Sequence, residues 1–62
     1  MSQQTDNLLE QGKEAFANND FGDALNCFNE VLRADPSNEE AAQWIDMIGE
    51  ILAFRHKDYY NP

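Results

Sequence analysis

The strongest constraint on the fold of this chain is the spacing of Gly12, Ala24, Phe28 and Pro36. Around Ala24 and Phe28, apolar residues recur every three or four positions, which is the spacing of one helical face. A glycine inside a helix costs about 1 kcal/mol relative to alanine, so Gly12 indicates a second helix passing very close. Pro36 cannot continue a helix and disfavours helical geometry in the residue before it. These residues predict two packed helices and a turn that ends the second.

Turn and capping residues set the bounds of the first two predicted helices. Thr5 or Asp6 can cap the first helix, which we expect to run to about Asn18. Two asparagines and Asp20 then form a turn signal, and Asp20 is a good cap for the second helix. The second helix is expected to end near Ala34, just before the Asp-Pro pair.

A third helix is predicted over residues 39–57. Ser37 and Glu40 have the Ser-x-x-Glu spacing of a capping box at its start. Residues 58–62 are expected to form a non-helical tail. Because the connections are short, neighbouring helices should be antiparallel. The sequence therefore predicts an all-α, three-helix antiparallel fold.

The small size of the chain limits how it can be stabilised. Its 62 residues allow one domain, which buries only about 60% of its unfolded surface. Cys27 is the only cysteine, so no disulfide forms within the chain, and His56 is the only histidine, so no common zinc set is available. Regular helix packing and oligomerisation remain as sources of stability.

The charge balance excludes several classes of partner. Twelve acidic residues against four basic ones give a net charge of −8, which repels nucleic acid and anionic membranes. The first residues lack the pattern of a signal peptide, and no apolar run is long enough to span a membrane. We therefore expect a cytoplasmic protein with no nucleic-acid or membrane partner.

The spacing of the first two helices resembles one tetratricopeptide repeat, the TPR family. That family places a glycine in the first helix, Ala-x-x-x-Phe in the second and a proline after it, as Gly12, Ala24, Phe28 and Pro36 do here. Residues 5–38 have the 34-residue length of one repeat. Three positions depart from the family pattern, which more often has tryptophan, leucine and tyrosine where this chain has Leu8, Gln11 and Ala15.

The resemblance implies a role in protein–protein interaction and no catalysis. Such repeats often bind partners on the surface lined by the first helix of each pair. A single repeat does not bury its own apolar face, and about three are usually needed for stability. The third helix has Asp46 where the family glycine would stand, so it resembles a capping helix that covers one side of the hairpin.

The third helix is apolar around about two-thirds of its circumference, beyond the arc of an ordinary surface helix. One half of this arc is expected to pack on the hairpin, and it contains Ala41, Ile45, Ile48 and Leu52. The other half is expected to face water in a monomer, and it contains Trp44, Met47, Ile51 and Phe54. This second composition is typical of an interface core.

The sequence therefore predicts a self-associating interaction module, expected to be a homodimer, whose third helix meets a second copy. Two alternatives remain: another protein's apolar peptide or helix binds the same surface, or the tail covers it through Tyr59 and Tyr60. The predicted partner-binding residues are Leu9, Lys13, Phe16, Trp44, Met47, Ile51 and Phe54.

No enzymatic activity is expected. Cys27 has the setting of a small apolar residue in a helix, and His56 that of a cation near a helix C-terminus. The carboxylates are spread along helix faces without calcium-loop or paired-acid spacing. We therefore predict no catalytic residue, no metal ligand and no cofactor.

Overall fold

The computed structural model describes residues 3–60, with side chains for residues 3–54. Three helices account for nearly all of this part of the chain: α1 (Gln3–Ala17), α2 (Phe21–Ala34) and α3 (Glu39–Tyr60). α1 packs against α2, and α2 packs against α3. The predicted all-α, three-helix arrangement is confirmed.

The turn between α1 and α2 closes the end of α1 with backbone hydrogen bonds. The amide of Asp20 donates to the carbonyl of Ala15 (2.8 Å), and the amide of Asn19 donates to that of Phe16 (3.0 Å). Asn19 has φ 62°, a left-handed conformation that asparagine tolerates better than most residues. This is the Schellman arrangement with asparagine in the usual glycine position, and it reverses the chain within three residues.

Both ends of α2 follow the sequence prediction. Asp20 is its N-cap, and its side chain accepts a hydrogen bond from the amide of Asp23 at 3.5 Å. At the other end the amide of Asp35 donates to the carbonyl of Val31 at 2.7 Å. The helix stops at Ala34, as expected from the Asp-Pro pair that follows.

The start of α3 is where predicted, but the predicted cap is wrong. Asn38 caps the helix, because its Oδ1 accepts a hydrogen bond from the amide of Ala41 at 2.9 Å. The Ser37 hydroxyl donates to the carboxylate of Asp35 at 2.9 Å. Because the Ser37 hydroxyl is bound to Asp35 in the turn around Pro36, Ser37 does not cap α3. The following residue, Asn38, is the cap.

Two further boundaries differ from the sequence prediction. α1 begins at Gln3, so Thr5 lies inside the helix and is buried instead of capping it. α3 continues to Tyr60, three residues beyond the predicted end at residue 57, so residues 58–60 are helical where a tail was expected. The last two residues of that expected tail, 61–62, lie outside the described residues.

The core lies where α2 meets its two neighbours. The largest fully buried side chain is Phe28, and its ring lies against Gly12 of α1. A Cβ atom at Gly12 would come within 2.6 Å of the Phe28 ring, so the close helix approach predicted from this glycine is confirmed. The other buried apolar residues are Leu9, Ala24, Val31, Ala41 and Ile48.

Candidate functional site

The seven predicted partner-binding residues separate into two groups. Leu9 is buried in the core, and Phe16 and Trp44 are half-buried against it. Lys13 is half-buried at the seam between α1 and α3. Met47, Ile51 and Phe54 lie further along α3, where Met47 and Phe54 are exposed and Ile51 is half-buried.

Trp44 belongs to an aromatic cluster that joins all three helices. Its indole stacks on the ring of Phe28, with ring centres 5.5 Å apart and planes 6° from parallel. It also forms a T-shaped pair with the ring of Phe16, with ring centres 5.0 Å apart. Phe16 in turn contacts Phe21, with ring centres 5.5 Å apart. Such pairs stabilise a fold by about 0.5–1.5 kcal/mol each beyond the area that they bury.

The expectation that Trp44 faces water is therefore wrong. At 100° per residue it lies about 60° from Ala41 around α3, at the border between the two predicted halves. The neighbours across that border decide its environment. The ring of Phe16 in α1 and the fully buried ring of Phe28 in α2 both contact the indole, so Trp44 packs against the core.

Lys13 links α1 to α3 through paired charges. Its ammonium lies 3.3 Å from a carboxylate oxygen of Glu10 and 3.4 Å from one of Glu40. The hydrogen bond to Glu10, followed by that to Glu40 and by the attraction of both charges, raises the pKa of Lys13 above its ordinary value of 10.5. Glu40 also accepts a 3.4 Å hydrogen bond from the Trp44 indole nitrogen. Lys13 therefore forms its ion pairs within the chain, with Glu10 and Glu40.

Glu40 makes contacts that the sequence prediction missed. The sequence predicts that it closes a capping box, whereas its carboxylate joins Lys13 of α1 to Trp44 of its own helix. The four-residue spacing between Glu40 and Trp44 was a usable signal, since side chains at i and i+4 meet on a helix surface. The link to Lys13 depends on the packing of α1 and α3, which no spacing reveals.

Met47, Ile51 and Phe54 form one exposed apolar strip, which we call the α3 face. Phe54 is 62% exposed and Met47 is 39% exposed, while Ile51 is half-buried. The predicted exposure of Met47 and Phe54 is confirmed. The other predicted half of α3 packs inward as expected: Ala41 and Ile48 are buried, and Ile45 and Leu52 are half-buried against the core.

A shallow pocket of about 350 Å³ opens between α1 and α2. Carboxylates, amides and the Cys27 thiol line it. Among the described residues, no group of three or more His, Cys, Asp and Glu side chains is arranged to hold a metal ion. The lining residues are Gln11, Glu14, Ala15, Asn18, Asp20, Asp23, Asn26 and Cys27.

The titrating groups of this pocket are poorly suited to nucleophilic chemistry. Burial, followed by the negative charge of Asp23, raises the pKa of the Cys27 thiol. The reactive thiolate form is therefore disfavoured at neutral pH. Hydrogen bonding to Asp20, followed by repulsion from its charge, raises the pKa of Asp23.

Comparison with known proteins finds no match to the chain among protein-family models, curated proteins or solved structures. In the part of the chain that the structure describes, none of the three helices is both long and apolar enough to cross a membrane. The site must therefore be interpreted from its own geometry.

Proposed function

We propose that this protein is a non-enzymatic, cytoplasmic interaction module that forms a homodimer through the α3 face. The observation that carries the proposal is the exposure of Met47 and Phe54 on the same face of one helix, at 39% and 62%. Aromatic residues and methionine are enriched in the cores of protein interfaces. In so short a chain, this strip is a large apolar surface to leave in water.

The hairpin of α1 and α2 supports the proposal through its likeness to one tetratricopeptide repeat. Ala24 and Phe28 are fully buried, and the Phe28 ring occupies the space left by the missing side chain of Gly12. These are the contacts that the repeat pattern implies for its small and aromatic positions. A lone repeat needs neighbours on its open surfaces, and α3 supplies only one of them.

We restrict the proposed partner surface to the α3 face because the other candidates already have neighbours. Leu9, Phe16 and Trp44 pack inside the chain, and removing them would disturb the fold together with any interface. Lys13 is paired with Glu10 and Glu40. Met47, Ile51 and Phe54 can be changed with less effect on the monomer, which makes them the informative positions.

Self-association is favoured over a foreign partner because a two-fold dimer covers the same strip on both copies at once. Six partly exposed apolar side chains would leave water together. Against this stands an association cost of roughly 4–15 kcal/mol, so the dimer is expected to be weak, with a dissociation constant in the micromolar range or above.

The test compares Phe54→Glu with Ala53→Glu. Ala53 is also exposed on α3, and both variants gain one negative charge, but Ala53 lies about 100° around the helix from Phe54. Sedimentation equilibrium from roughly 10 to 500 µM should show the mass of the natural protein rising from 7.1 kDa toward twice that value. Phe54→Glu should remain monomeric, and Ala53→Glu should dimerise like the natural protein.

Circular dichroism must show the same helix content in both variants before their masses are compared. A natural protein that stays monomeric throughout the concentration range would refute self-association, and the α3 face would then suit an apolar helix or peptide of another protein. Equal dimerisation of the two variants would refute the α3 face as the interface.

A further inference from the structure

The turn between α2 and α3 keeps the two partners of a capping box apart. Ser37 and Glu40 have the spacing at which a serine caps a helix and the glutamate side chain returns to the serine amide. In the structure Oδ1 of Asp35 accepts hydrogen bonds from the Ser37 hydroxyl at 2.9 Å and from the Ser37 amide at 3.3 Å. Asp35 therefore takes the place that Glu40 would have in the box.

Glu40 makes its contacts in the opposite direction along α3. Its Oε2 lies 3.4 Å from the Lys13 ammonium and accepts a 3.4 Å hydrogen bond from the Trp44 indole nitrogen. Residues 37 and 44 are separated by roughly 10 Å along a helix axis. A carboxylate that returned to the Ser37 amide would therefore leave the Trp44 indole, so the two arrangements of Glu40 exclude each other.

Each arrangement of Glu40 has its own cap for α3. In the observed one, Oδ1 of Asn38 accepts a hydrogen bond from the amide of Ala41 at 2.9 Å. In the alternative, the Ser37 hydroxyl accepts a hydrogen bond from the amide of Glu40, three residues further on. Serine and asparagine are about equally good caps. The hydrogen bonds from Ser37 to Asp35 therefore favour the observed arrangement.

We infer that this turn is a two-position device in which Asp35 decides where Glu40 binds. While Asp35 holds Ser37, Asn38 caps α3 and Glu40 joins α3 to Lys13 of α1. When Ser37 is released, it caps α3, the Glu40 side chain returns to the Ser37 amide, and the ion pair with α1 is lost. Asp35 is thus a positioning residue that acts on the contact between α1 and α3 through Ser37 and Glu40.

The device acts within one chain and is independent of self-association. Glu40 also accepts a hydrogen bond from the Trp44 indole, whose ring packs on Phe16 of α1. The position of Glu40 therefore affects this aromatic contact as well as the ion pair with Lys13. In this way the turn after α2 controls a contact between the two other helices.

The test compares Asp35→Ala with Asp35→Asn by nuclear magnetic resonance. Both variants remove one negative charge, but asparagine keeps an Oδ1 atom that accepts the bonds from Ser37. The readout is the Trp44 indole N–H resonance, a single signal because the chain has one tryptophan. A Glu40→Ala chain gives the position of this resonance without the Glu40 contact. Asp35→Ala should move the resonance most of the way to that position, and Asp35→Asn should leave it near the natural one.

Amide hydrogen exchange identifies the cap directly. With Ser37 as the cap, the Glu40 amide donates to the Ser37 hydroxyl, so its exchange should be roughly fivefold slower in Asp35→Ala than in Asp35→Asn. A double variant, Asp35→Ala with Ser37→Ala, lacks the alternative cap. Its Trp44 resonance should stay at the natural position.

Asn38→Ala tests the device from the other side, because it removes the cap of the observed arrangement and keeps Asp35. It should move the Trp44 resonance in the same direction as Asp35→Ala, and this arm remains decisive where Asp35→Ala does not fold. An unmoved resonance in either single variant would refute the inference, as would an equal shift in the double variant. Equal resonances in Asp35→Ala and Asp35→Asn would assign the effect to the charge of Asp35 and would also contradict it.

Discussion

The contact between α1 and α2 and the segment of α3 from Gly49 to Phe54 each contain one glycine and one phenylalanine, but in opposite environments. Gly12 and Phe28 meet in the first region, where Phe28 is fully buried and a Cβ atom at Gly12 would lie 2.6 Å from its ring. In the second region Phe54 is 62% exposed, and Gly49 has open space around it within the described part of the chain. The first region is fully packed within a single molecule, and the second has no packing partner among the described side chains.

The difference shows that residue type alone does not assign a role to an aromatic side chain. Phe28 projects from α2 against Gly12 of α1 and stacks on Trp44 of α3, so its ring is fully buried. Phe54 sits on the part of α3 beyond the core, where no described helix covers it. Substitutions at matched positions in the two regions should therefore have different or opposite effects.

The largest expected difference is between Phe28→Ala and Phe54→Ala. Removing a fully buried phenylalanine costs about 3–5 kcal/mol, comparable to the whole stability of a chain of this size, which is roughly 3–9 kcal/mol. Phe28→Ala should therefore be largely unfolded by circular dichroism. Phe54→Ala should keep the monomer's free energy of unfolding, measured by urea denaturation in dilute solution, unchanged within about 0.5 kcal/mol. A folded Phe28→Ala chain would show that the core does not depend on this ring.

The two mid-helix glycines should respond to alanine with opposite signs. Gly49→Ala should raise the free energy of unfolding by about 1 kcal/mol, because alanine is the better helix former and the new methyl group meets nothing. Gly12→Ala gains the same helix propensity but forces the enclosed Phe28 ring to move, which costs roughly 1–3 kcal/mol. Urea denaturation of both variants measures the difference, and stabilisation by Gly12→Ala would contradict the close contact.

The smallest expected effect concerns the charged link between α1 and α3. Because Glu10 and Glu40 raise the pKa of Lys13, this interaction stabilises the fold while pH stays below the ordinary lysine value of 10.5. Its contribution is lost as pH rises through the higher pKa of the folded chain. The natural protein should lose this small contribution on going from neutral to strongly alkaline pH.

Two glutamine variants separate the parts of that link. Glu40→Gln should reduce the alkaline loss by removing the partner on α3, and it should also lower the urea midpoint slightly at neutral pH. Glu10→Gln removes only the neighbour on the same helix and serves as the matched control. If both variants behave alike at neutral pH, the contact between α1 and α3 adds nothing beyond the pairing within α1.

Helix positions and the hairpin core could be predicted from this sequence with good reason. The three- and four-residue spacing around Ala24 and Phe28 predicted the buried face of α2, and Gly12 predicted the close approach of α1. Caps were less predictable. Ser37 has a good capping sequence, but Asp35 holds its hydroxyl, and Asn38 caps α3 instead.

The candidate site could be predicted only in part. The spacing on α3 separated Met47 and Phe54 from the residues that pack on the hairpin, and both side chains are exposed as that separation predicts. The same spacing wrongly grouped Trp44 with them. Trp44 lies near the border of the two faces, where its environment depends on which side has a neighbouring helix. Leu9 and Phe16 were assigned to a partner surface for the same reason, since their spacing does not reveal what lies across from them.

The sequence by itself determined the number of helices, their approximate bounds, the tight contact at Gly12 and the excess of apolar surface on α3. Those properties depend on local spacing, capping and glycine, which act within a few residues of the chain. Only the tertiary structure decided that Trp44 stacks on Phe28 and that Glu40 pairs with Lys13. Such contacts join residues from different helices, so they depend on the distances and rotations between helices, which local spacing leaves open.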